Sequence, residues 1–403
     1  MAKSITLTAL DIGTYSIKGM VGRKNLDTDE IEILAQSEKP CFGVRNGEVI
    51  KPEKVSQIIA ELREELTREA GVKIREVLVN VGGSHLFSIS SEGVISVSRA
   101  DQKISEEDVR RVLRQAQAVN LPSNKEILEV FPREYIIDGE GGIKDPLGLK
   151  GMRLQAKVLL CCLFSPILEN LEKAVFESGL QILDVIPSPL AAARSQLTPQ
   201  QKELGVLLVD IGAGTTSLSV YEKGDLVDFA IFPIGSANIT NDIAICLRTE
   251  ISTAEKIKRE FGSLKSEGKK QKKEKAKVPE KSLSFNKKFL KNIIEARVSE
   301  IFSQVQKALK RITRENPLPA GVVLSGGGAQ LPGMVEFAKQ KLRLPSRLGS
   351  FKEFSQPLAL QFSTCAGLLL SGFDEQRPGR KKALGISKGL GERLKKIFKI
   401  FLP

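Results

Sequence analysis

The chain has 403 residues, 41% of them hydrophobic, and a formal net charge of +13. A single compact domain of this length would be unusual, and no apolar run approaches the roughly 20 residues that span a bilayer. Five cysteines without CxxC spacing and a single histidine argue against a disulfide scaffold and a structural metal site. The N-terminus lacks the pattern of a signal peptide, so we expect a chain that stays in a reducing cytoplasm.

The positive charge lies in two short segments. Residues 263–281 contain eight lysines against three glutamates, and residues 377–402 contain nine Lys or Arg against one Glu. The rest of the chain is therefore neutral overall. This distribution argues against a basic face on the globular body, so we predict no nucleic-acid partner.

The first candidate site in the chain is a turn that follows the apolar segment ITLTAL. Asp11 enters a turn with Gly13 and Thr14, where backbone N–H groups can approach an anion without obstruction. The residues after the turn, SIKGMVG, again have strand character. We therefore predict a hairpin loop, unlike the strand-to-helix turn of a GxxxxGK[ST] site, which the sequence lacks.

The elements that follow are interpreted as structural. Apolar residues at helical spacing predict a helix over 52–70 that ends at Gly71. His85 has no nearby nucleophile motif, so we expect a packing role. A second helix is predicted to begin after a Ser105 cap, with acidic residues in its first turn. The segment VLLCCLF, 158–164, is predicted to be a buried strand.

A second turn of the same kind occurs about 200 residues later. The segment GVLLVDIGAGTT carries Asp210 into glycines and hydroxyls, and the following residues again have strand character. Two such turns at the heads of two domain-sized halves would place two carboxylates on opposite walls of one cleft. That arrangement suits Mg²⁺ held between phosphate oxygens.

Two further segments complete the predicted site. In GVVLSGGGAQLPG, 321–333, a strand, three glycines and a helix start with Pro332 near its first position let the backbone approach a base or sugar. On a helix predicted over 249–261, Glu255 and Lys258 share one face at i, i+3. On spacing alone, a solvent-side ion pair is the simpler interpretation of these two residues.

The basic segments have simple and specific interpretations. Residues 263–281 are predicted to form a solvated loop, or one attracted to acidic partners or anionic lipid. Residues 374–388 are predicted to be a linker, and 389–403 a basic amphipathic helix for a lipid surface, with docking on the protein's own body as the alternative. The residues expected at the membrane are Leu390, Arg393, Leu394, Lys395, Lys396, Ile397, Phe398, Lys399, Phe401 and Leu402.

These motifs together resemble a known family. DIGTYSIK, DIGAGTT and VVLSGGGAQLPG are similar to the phosphate 1, phosphate 2 and adenosine motifs of the actin-like ATPase superfamily, and segments 82–97, 121–158 and 233–262 resemble the FtsA family of bacterial cell-division proteins. The resemblance implies an α/β, actin-like (ribonuclease H-like) duplicated fold around a nucleotide cleft. It also implies an inserted small α+β subdomain and a C-terminal amphipathic helix.

The resemblance divides the chain as follows: subdomain 1A at 1–85 and 162–203, subdomain 1C at 86–161, subdomain 2A at 204–240 and 318–373, subdomain 2B at 241–317 with the Lys-rich loop 263–281, the linker 374–388, and the membrane helix 389–403.

The resemblance also implies ATP and Mg²⁺ as cofactors, with Asp11 and Asp210 at the metal. The expected nucleotide-binding residues are Asp11, Gly13, Thr14, Tyr15, Lys18, Asp210, Gly212, Gly214, Thr215, Thr216, Glu255, Lys258, Gly326, Gly327 and Gly328. Two positions depart from the superfamily pattern, because Ser188 and Ser217 stand where carboxylates are common. We therefore expect at most weak ATPase activity and assign no catalytic residue.

As partners, the resemblance implies filaments of the chain itself, anionic membrane lipid, other division proteins at subdomain 1C, and the C-terminal peptide of FtsZ at Lys287, Lys288 and Arg297. The implied function is to polymerise on the cytoplasmic face of the membrane and anchor FtsZ filaments at the division septum. The alternatives are a PilM-like pilus scaffold and a metabolite kinase of the same fold. A kinase would need a second substrate pocket with a general base, and no such residue can be singled out.

Overall fold

The structure is a computed structural model that describes residues 4–98, 100–265, 275–278, 283–313 and 318–376. It contains two halves, each built on a five-stranded sheet, and a four-stranded sheet inserted into the first half. The predicted membrane helix, its linker beyond residue 376 and most of the Lys-rich loop lie outside the described residues. Within the predicted loop, Lys275–Val278 instead form a short strand that pairs with Leu283–Asn286. Of the helices that are described, none has the length and hydropathy needed to cross a bilayer.

The first half begins with a hairpin of two buried strands. Its first elements are β1 (Ser4–Ile12), β2 (Ser16–Asn25), β3 (Ile31–Pro40), the short strands β4 (Val44–Arg45) and β5 (Glu48–Val49), helix α1 (Pro52–Ala70) and β6 (Glu76–Val81). β1 pairs antiparallel with β2 over its whole length, which confirms the predicted hairpin, and parallel with β6 on its other side. Helix α1 ends at Gly71 with φ 64°, as the sequence predicts.

The inserted sheet follows β6. Its elements are β7 (Phe87–Ser96), α2 (Glu106–Ala116), β8 (Lys125–Ile137), β9 (Glu140–Ile143) and β10 (Arg153–Phe164), with strand order β7-β10-β8-β9. Ser105 and Asp108 form a capping box at the start of α2, which confirms the predicted helix start. The insert also contacts the second half, through hydrogen bonds from Ser88 to Asp228 and from Lys144 to Asp225.

The chain then returns to the first half and crosses to the second. The connecting elements are α3 (Ser165–Glu177), β11 (Gln181–Pro187), α4 (Ser188–Gln196) and α5 (Pro199–Leu204). β11 pairs parallel with β6 and completes the first sheet in the order β11-β6-β1-β2-β3. β11 ends at the residue before α4 begins, so Ser188 stands at a strand-to-helix junction beside the ends of β1 and β6.

The second half repeats the pattern of the first. Its elements are β12 (Val206–Ile211), β13 (Thr216–Glu222), β14 (Asp225–Phe232), α6 (Ser236–Leu247), α7 (Ile251–Phe261), β15 (Lys275–Val278), β16 (Leu283–Asn286), α8 (Lys287–Ile312), β17 (Val322–Ser325), α9 (Met334–Leu342), β18 (Ser346–Leu348) and α10 (Ser363–Glu375). β12 pairs antiparallel with β13 and parallel with β17, as β1 does with β2 and β6. The second predicted hairpin is therefore confirmed.

Helix α10 extends from the second half of the chain onto the first sheet. α10 packs on this sheet, where Phe362, Leu369 and Phe373 join a cluster with Leu7 and Met20. It meets α4 at Gly367, where a Cβ atom would lie only 1.7 Å from the Ala191 carbonyl oxygen. Only glycine permits this approach, so Gly367 lets α10 pack directly against the backbone of α4.

One local prediction needs correction. Pro332 is not in the first turn of a helix, because α9 begins at Met334 with Gly333 as its N-cap at φ 88°. The glycine segment instead forms a single 3₁₀ turn over Gly327–Gln330. The Pro332 carbonyl accepts a hydrogen bond from the Leu264 backbone at 2.7 Å, so this stretch is held as a loop by the end of α7.

Candidate functional site

The two glycine turns lie on opposite walls of one cavity between the halves, with a volume of about 650 Å³. The turns are in contact, because a Cβ atom on Gly214 would lie 2.6 Å from Thr14 Oγ1. The cavity is lined by thirteen of the fifteen residues predicted to bind a nucleotide: Asp11, Gly13, Thr14, Tyr15, Lys18, Asp210, Gly212, Thr215, Glu255, Lys258, Gly326, Gly327 and Gly328.

The two remaining predicted residues do not line the cavity. Thr216 is fully buried and its hydroxyl donates a hydrogen bond to the Ile234 carbonyl at 2.8 Å, so it is not available to a ligand. Gly214 packs against Thr14 of the other turn. Its role in the cleft is therefore to let the two turns approach each other.

The two turns have the same backbone geometry. The Gly13 amide donates to the Ser16 carbonyl at 3.1 Å, and the Gly212 amide donates to the Thr215 carbonyl at 2.9 Å. In each half, the carboxylate that enters the turn sits at the end of the central strand. Its neighbours on the antiparallel strand differ, since Asp11 pairs with Lys18 and Asp210 with Ser217.

Asp11 is held by two side chains. Lys18 Nζ lies 3.2 Å from Asp11 Oδ2, and Asn80 Nδ2 lies 2.9 Å from Asp11 Oδ1. Burial of Lys18 opposes its positive charge, but the nearby carboxylates, Asp11 foremost, outweigh burial and raise the pKa of Lys18. The first turn therefore presents a carboxylate of fixed position and a charged amine.

Asp210 has a different environment. Burial raises the pKa of Asp210 to about 7, and the charge of Asp11 adds to this shift. Its Oδ1 atom is buried without a hydrogen-bond partner. A Cβ atom on Gly326, where φ is 81°, would lie 2.5 Å from Asp210 Oδ1, so only glycine fits there. A bound cation would stabilise the ionised form of this carboxylate. Without a cation, burial favours its neutral, protonated form.

These two carboxylates fit Mg²⁺. The ion usually keeps several waters and is bound by one or two carboxylates together with substrate phosphates, and the unpartnered oxygen of Asp210 matches that need. In the described part of the chain, no three His, Cys, Asp or Glu side chains are grouped to hold a metal. A site that shares its ion with phosphate oxygens does not require such a group.

Glu255 and Lys258 form a pair inside the cleft wall. Lys258 Nζ lies 2.7 Å from Glu255 Oε2, and their side chains are only 12% and 20% exposed, respectively. Lys258 also donates to the Ser236 carbonyl and to Thr240 Oγ1. Burial acts to raise the pKa of Glu255, but hydrogen bonds from Lys258 and Thr240 hold that pKa below its ordinary value. For Lys258, burial has the larger effect and lowers the pKa. The pair therefore lies at the cavity and not on the solvent side.

Sequence reasoning missed Asn80 and Arg259 of the cleft, and it named Ser188 only as a departure from the superfamily pattern. Asn80 is 5% exposed and contacts Asp11, and Ser188 accepts a hydrogen bond from Asn80. Arg259 Nε donates to Glu255 Oε1 at 2.9 Å, and its guanidinium lies 5.8 Å from the ring centre of Tyr15 in the other half. A polar residue at the end of an apolar strand, LVNVGG, was the only sequence signal for Asn80.

The remaining predicted residues lie elsewhere. His85 stacks near Phe164 with 5.7 Å between ring centres, and its Nε2 lies 3.7 Å from Glu48 Oε1. Arg297 on α8 binds Asp242 of α6 through two hydrogen bonds of 2.7 and 2.9 Å. Lys287 and Lys288 are in the first turn of the same helix. The residues predicted to bind lipid, from Leu390 to Leu402, lie outside the described residues.

Comparisons with known proteins agree with this architecture. The family model described as cell division protein FtsA matches residues 207–367, and the model of the SHS2 domain inserted in FtsA matches residues 83–162. The cell division protein FtsA of Pseudomonas aeruginosa is 35% identical over 385 residues, which cover 93% of this chain and 90% of that protein.

Solved structures share the fold at low identity. A structure of the PilM-PilN type IV pilus biogenesis complex aligns with a TM-score of 0.63 at 18% identity, covering 91% of this chain and 98% of that chain. MreB5 of Spiroplasma citri bound to ADP aligns with a TM-score of 0.52 at 14% identity, covering 92% and 98%. These similarities confirm the predicted actin-like fold with its inserted subdomain.

Proposed function

The chain belongs to the FtsA family of bacterial cell-division proteins, and from this we propose that it binds ATP with Mg²⁺, polymerises on the cytoplasmic face of the membrane, and anchors FtsZ filaments there at the division site. The observation that carries the proposal is the pair of matched turns on one cavity. Asp11 and Asp210 line that cavity from opposite halves, and Gly326–Gly328 line it beside them.

The nucleotide is proposed to lie along the cleft with its phosphates between the turns. The hydroxyls of Thr14 and Thr215 line the cavity and are proposed to meet phosphate oxygens. The Gly13 and Gly212 amides donate to the Ser16 and Thr215 carbonyls, so their proposed role is to hold the shape of each turn. Mg²⁺ would be held by Asp11 and Asp210, and it would neutralise phosphate charge between two carboxylates. Lys18 supplies a further positive charge on the same wall.

The ribose and base are proposed to lie at the other end of the cleft. Glu255 accepts hydrogen bonds and Lys258 donates them, which suits a sugar hydroxyl, and both are held in place by Thr240 and Ser236. The glycines of the 3₁₀ turn leave the backbone open to a flat base. MreB5, which shares the fold, has been solved with ADP, and this supports a nucleotide as the ligand class.

Binding is proposed to act through closure of the halves rather than through turnover. A ligand held by both turns stabilises the closed arrangement only to the extent that it binds that arrangement more tightly. Ser188 and Ser217 supply no carboxylate to orient an attacking water, so hydrolysis is expected to be weak at best. The output of the site is then assembly of the chain into filaments.

Membrane attachment is proposed to come from residues 389–403. On a helix, their apolar residues except Ile400 would share one face, with Arg393, Lys395, Lys396 and Lys399 beside or opposite it. Each cation near an anionic surface contributes about 1 kcal/mol, so binding should be reversible and weaker at high salt. The Lys-rich loop 263–281 is a second basic segment with the same chemistry.

FtsZ is proposed to dock through its C-terminal peptide on the α8 surface, and other division proteins on the inserted subdomain. Lys287, Lys288 and Arg297 supply positive charge on α8, although Arg297 is already bound to Asp242. A peptide carboxylate that reaches Arg297 must therefore compete with Asp242. A PilM-like scaffold remains the alternative, and it would associate with membranes only through partners.

Co-sedimentation with liposomes tests the proposal. The full chain should pellet with vesicles that contain anionic lipid, retain a synthetic FtsZ C-terminal peptide there, and assemble more strongly with ATP and Mg²⁺. A chain truncated before residue 389 should stay in the supernatant, with neutral vesicles as the control. Unchanged pelleting after truncation would contradict the tethering role and favour the scaffold alternative. A phosphorylated product from ATP and a panel of sugars would instead identify a kinase.

A further inference from the structure

Asn80 is a buried side chain of the cleft that makes three hydrogen bonds. It lies at the end of β6, next to the end of β1, and it is 5% exposed. Its Oδ1 accepts a hydrogen bond from the Ile12 amide at 2.7 Å, and its Nδ2 donates to Asp11 Oδ1 at 2.9 Å and to Ser188 Oγ at 3.0 Å. The carboxylate and the amide N–H on either side fix the orientation of this side-chain amide.

Among the described residues of the second half, no side chain is arranged around Asp210 as Asn80 is around Asp11. β12 pairs parallel with β17 as β1 does with β6, and this register sets Ser325 beside Asp210 where Asn80 stands beside Asp11. Likewise, Ser217 stands where the first half has Lys18. Asp210 Oδ1 is consequently buried without a hydrogen-bond partner, whereas both oxygens of Asp11 are bound.

We propose that Asn80 is a positioning residue that holds the Asp11 carboxylate in one orientation for Mg²⁺-dependent nucleotide binding and keeps the Ser188 hydroxyl turned away from the ligand. The inference rests on the proposed nucleotide function and names a residue through which that function works. Ser188 Oγ donates to the Val81 carbonyl at 3.0 Å while it accepts from Asn80. Its hydroxyl hydrogen is therefore used within the protein.

The asymmetry gives the two carboxylates different tasks. Asp11 is oriented before any ligand arrives, so binding does not have to order it. Asp210, whose Oδ1 has no hydrogen-bond partner among the described residues, is ordered by the ligand itself. Loss of Asn80 would make the first half resemble the second, and the part of the affinity that depends on Mg²⁺ would fall.

The test uses the full chain and a fluorescent ATP analogue, titrated once with Mg²⁺ and once with EDTA. The Asn80→Ala variant should lose roughly tenfold or more of the affinity measured with Mg²⁺, the effect of removing a hydrogen bond to a charged group, and little of the affinity measured with EDTA. Asn80→Ser introduces the residue type that stands beside Asp210 in the second half, where Ser325 occupies this position. We expect it to lose the same roughly tenfold of the affinity measured with Mg²⁺. It keeps the test valid if the alanine variant does not fold.

Asn170→Ala is the matched control. Asn170 Nδ2 donates to the Val49 carbonyl at 3.1 Å, away from the cavity, so this variant also loses an asparagine hydrogen bond. It should lower the melting temperature of the nucleotide-free protein without changing the ratio of the affinities measured with Mg²⁺ and EDTA. A purely structural role of Asn80 would give this same result.

A double-mutant cycle with Asp11→Ala separates an action through Asp11 from an independent one. In the Asp11→Ala background, Asn80→Ala should have no further effect on the Mg²⁺-dependent affinity. An equal loss in both backgrounds, or an unchanged ratio in the single variants, would overturn the positioning role. Failure of the wild-type chain to bind the analogue at all would instead overturn the proposed nucleotide function.

Discussion

The guanidinium of Arg259 lies 5.8 Å from the ring centre of Tyr15, and this contact joins the two halves across the mouth of the cleft. Arg259 is also bound to Glu255, so the contact connects the proposed ribose end of the cleft to the first phosphate turn. Opening the cleft must separate the pair. We therefore expect this contact to slow the release of a bound ligand.

The first prediction concerns this contact. Tyr15→Leu removes the cation–π interaction, which contributes about 0.5–1 kcal/mol at exposed sites, so a fluorescent ATP analogue should dissociate roughly two- to fivefold faster. Stopped-flow displacement by excess ATP measures the rate. Tyr15→Phe keeps the ring and should dissociate at the wild-type rate, and a leucine variant as slow as wild type would show that the contact does not restrain release.

The second prediction concerns the glycine turn that adjoins Asp210. An added Cβ at Gly326 would lie 2.5 Å from both Asp210 Oδ1 and the Ile211 carbonyl, at a φ of 81°. Overpacking of this kind costs about 1–3 kcal/mol, so Gly326→Ala should weaken ATP binding by roughly tenfold or more. Equilibrium titration measures the affinity.

Gly142→Ala is the control for that substitution. Gly142 also has a positive φ, 78°, but nothing lies within 4 Å of its would-be Cβ. An alanine at this position would have the same kind of backbone strain without a steric collision. Gly142 is on β9 of the insert and does not line the cavity. If both variants bound ATP more weakly than the wild type and to the same extent, backbone strain alone, and not the close approach to Asp210, would explain the effect.

The third prediction concerns the proposed FtsZ surface. Arg297→Ala should weaken binding of an FtsZ C-terminal peptide by roughly tenfold, the effect of removing one hydrogen bond to a charged group. Asp242→Asn removes the negative charge that now holds Arg297, so the same peptide should bind more tightly to it. Fluorescence anisotropy of a labelled peptide reports both. If neither variant differs from wild type, the peptide binds elsewhere.

The fourth prediction concerns Glu129, a partly buried acid on β8 of the inserted sheet. Burial raises the pKa of Glu129 to about 8, and Asp184 and Glu375 add to the shift. Because the folded-state pKa lies above the unfolded value of 4.5, ionisation opposes folding, and the free energy of unfolding declines as the pH rises from about 4.5 to about 8.

Glu129→Gln removes this ionisation. As the pH is raised from about 5 to about 9, the melting temperature of the variant should therefore rise relative to that of the wild type. Thermal unfolding followed by circular dichroism measures the difference at each pH. A difference that stays constant over this interval would show that Glu129 is not held in its neutral form.

The sequence was sufficient for the two hairpin turns, because each combines an apolar strand, an Asp and glycines over a few residues. It was also sufficient for α1 and α2, whose caps at Gly71 and Ser105 are local signals. Asn80 could not be predicted from the sequence, because its partners Asp11 and Ser188 are 69 and 108 residues away. The contact between Tyr15 and Arg259 forms only when the two halves face each other.

Thr216 and Pro332 show the limits of local patterns. Both occur in motifs whose neighbours line the cavity. The hydroxyl of Thr216 donates to the Ile234 carbonyl, and Pro332 lies before the N-cap of the helix whose first position it was predicted to be near. In each case, the residue is held by a hydrogen bond to the backbone of another segment: Thr216 bonds to Ile234, and Pro332 bonds to Leu264. A glycine-rich motif predicts that a turn exists more reliably than it predicts which way each side chain points.

The most direct test of the central claim is calorimetric titration of the full chain with ATP in Mg²⁺, repeated with Asp210→Ala. We expect one saturable site in the wild-type chain and an affinity roughly tenfold weaker or more in the variant, since Asp210 would hold the cation of the ligand. Wild-type affinity in the Asp210→Ala chain, or no saturable binding in the wild type, would contradict the claim.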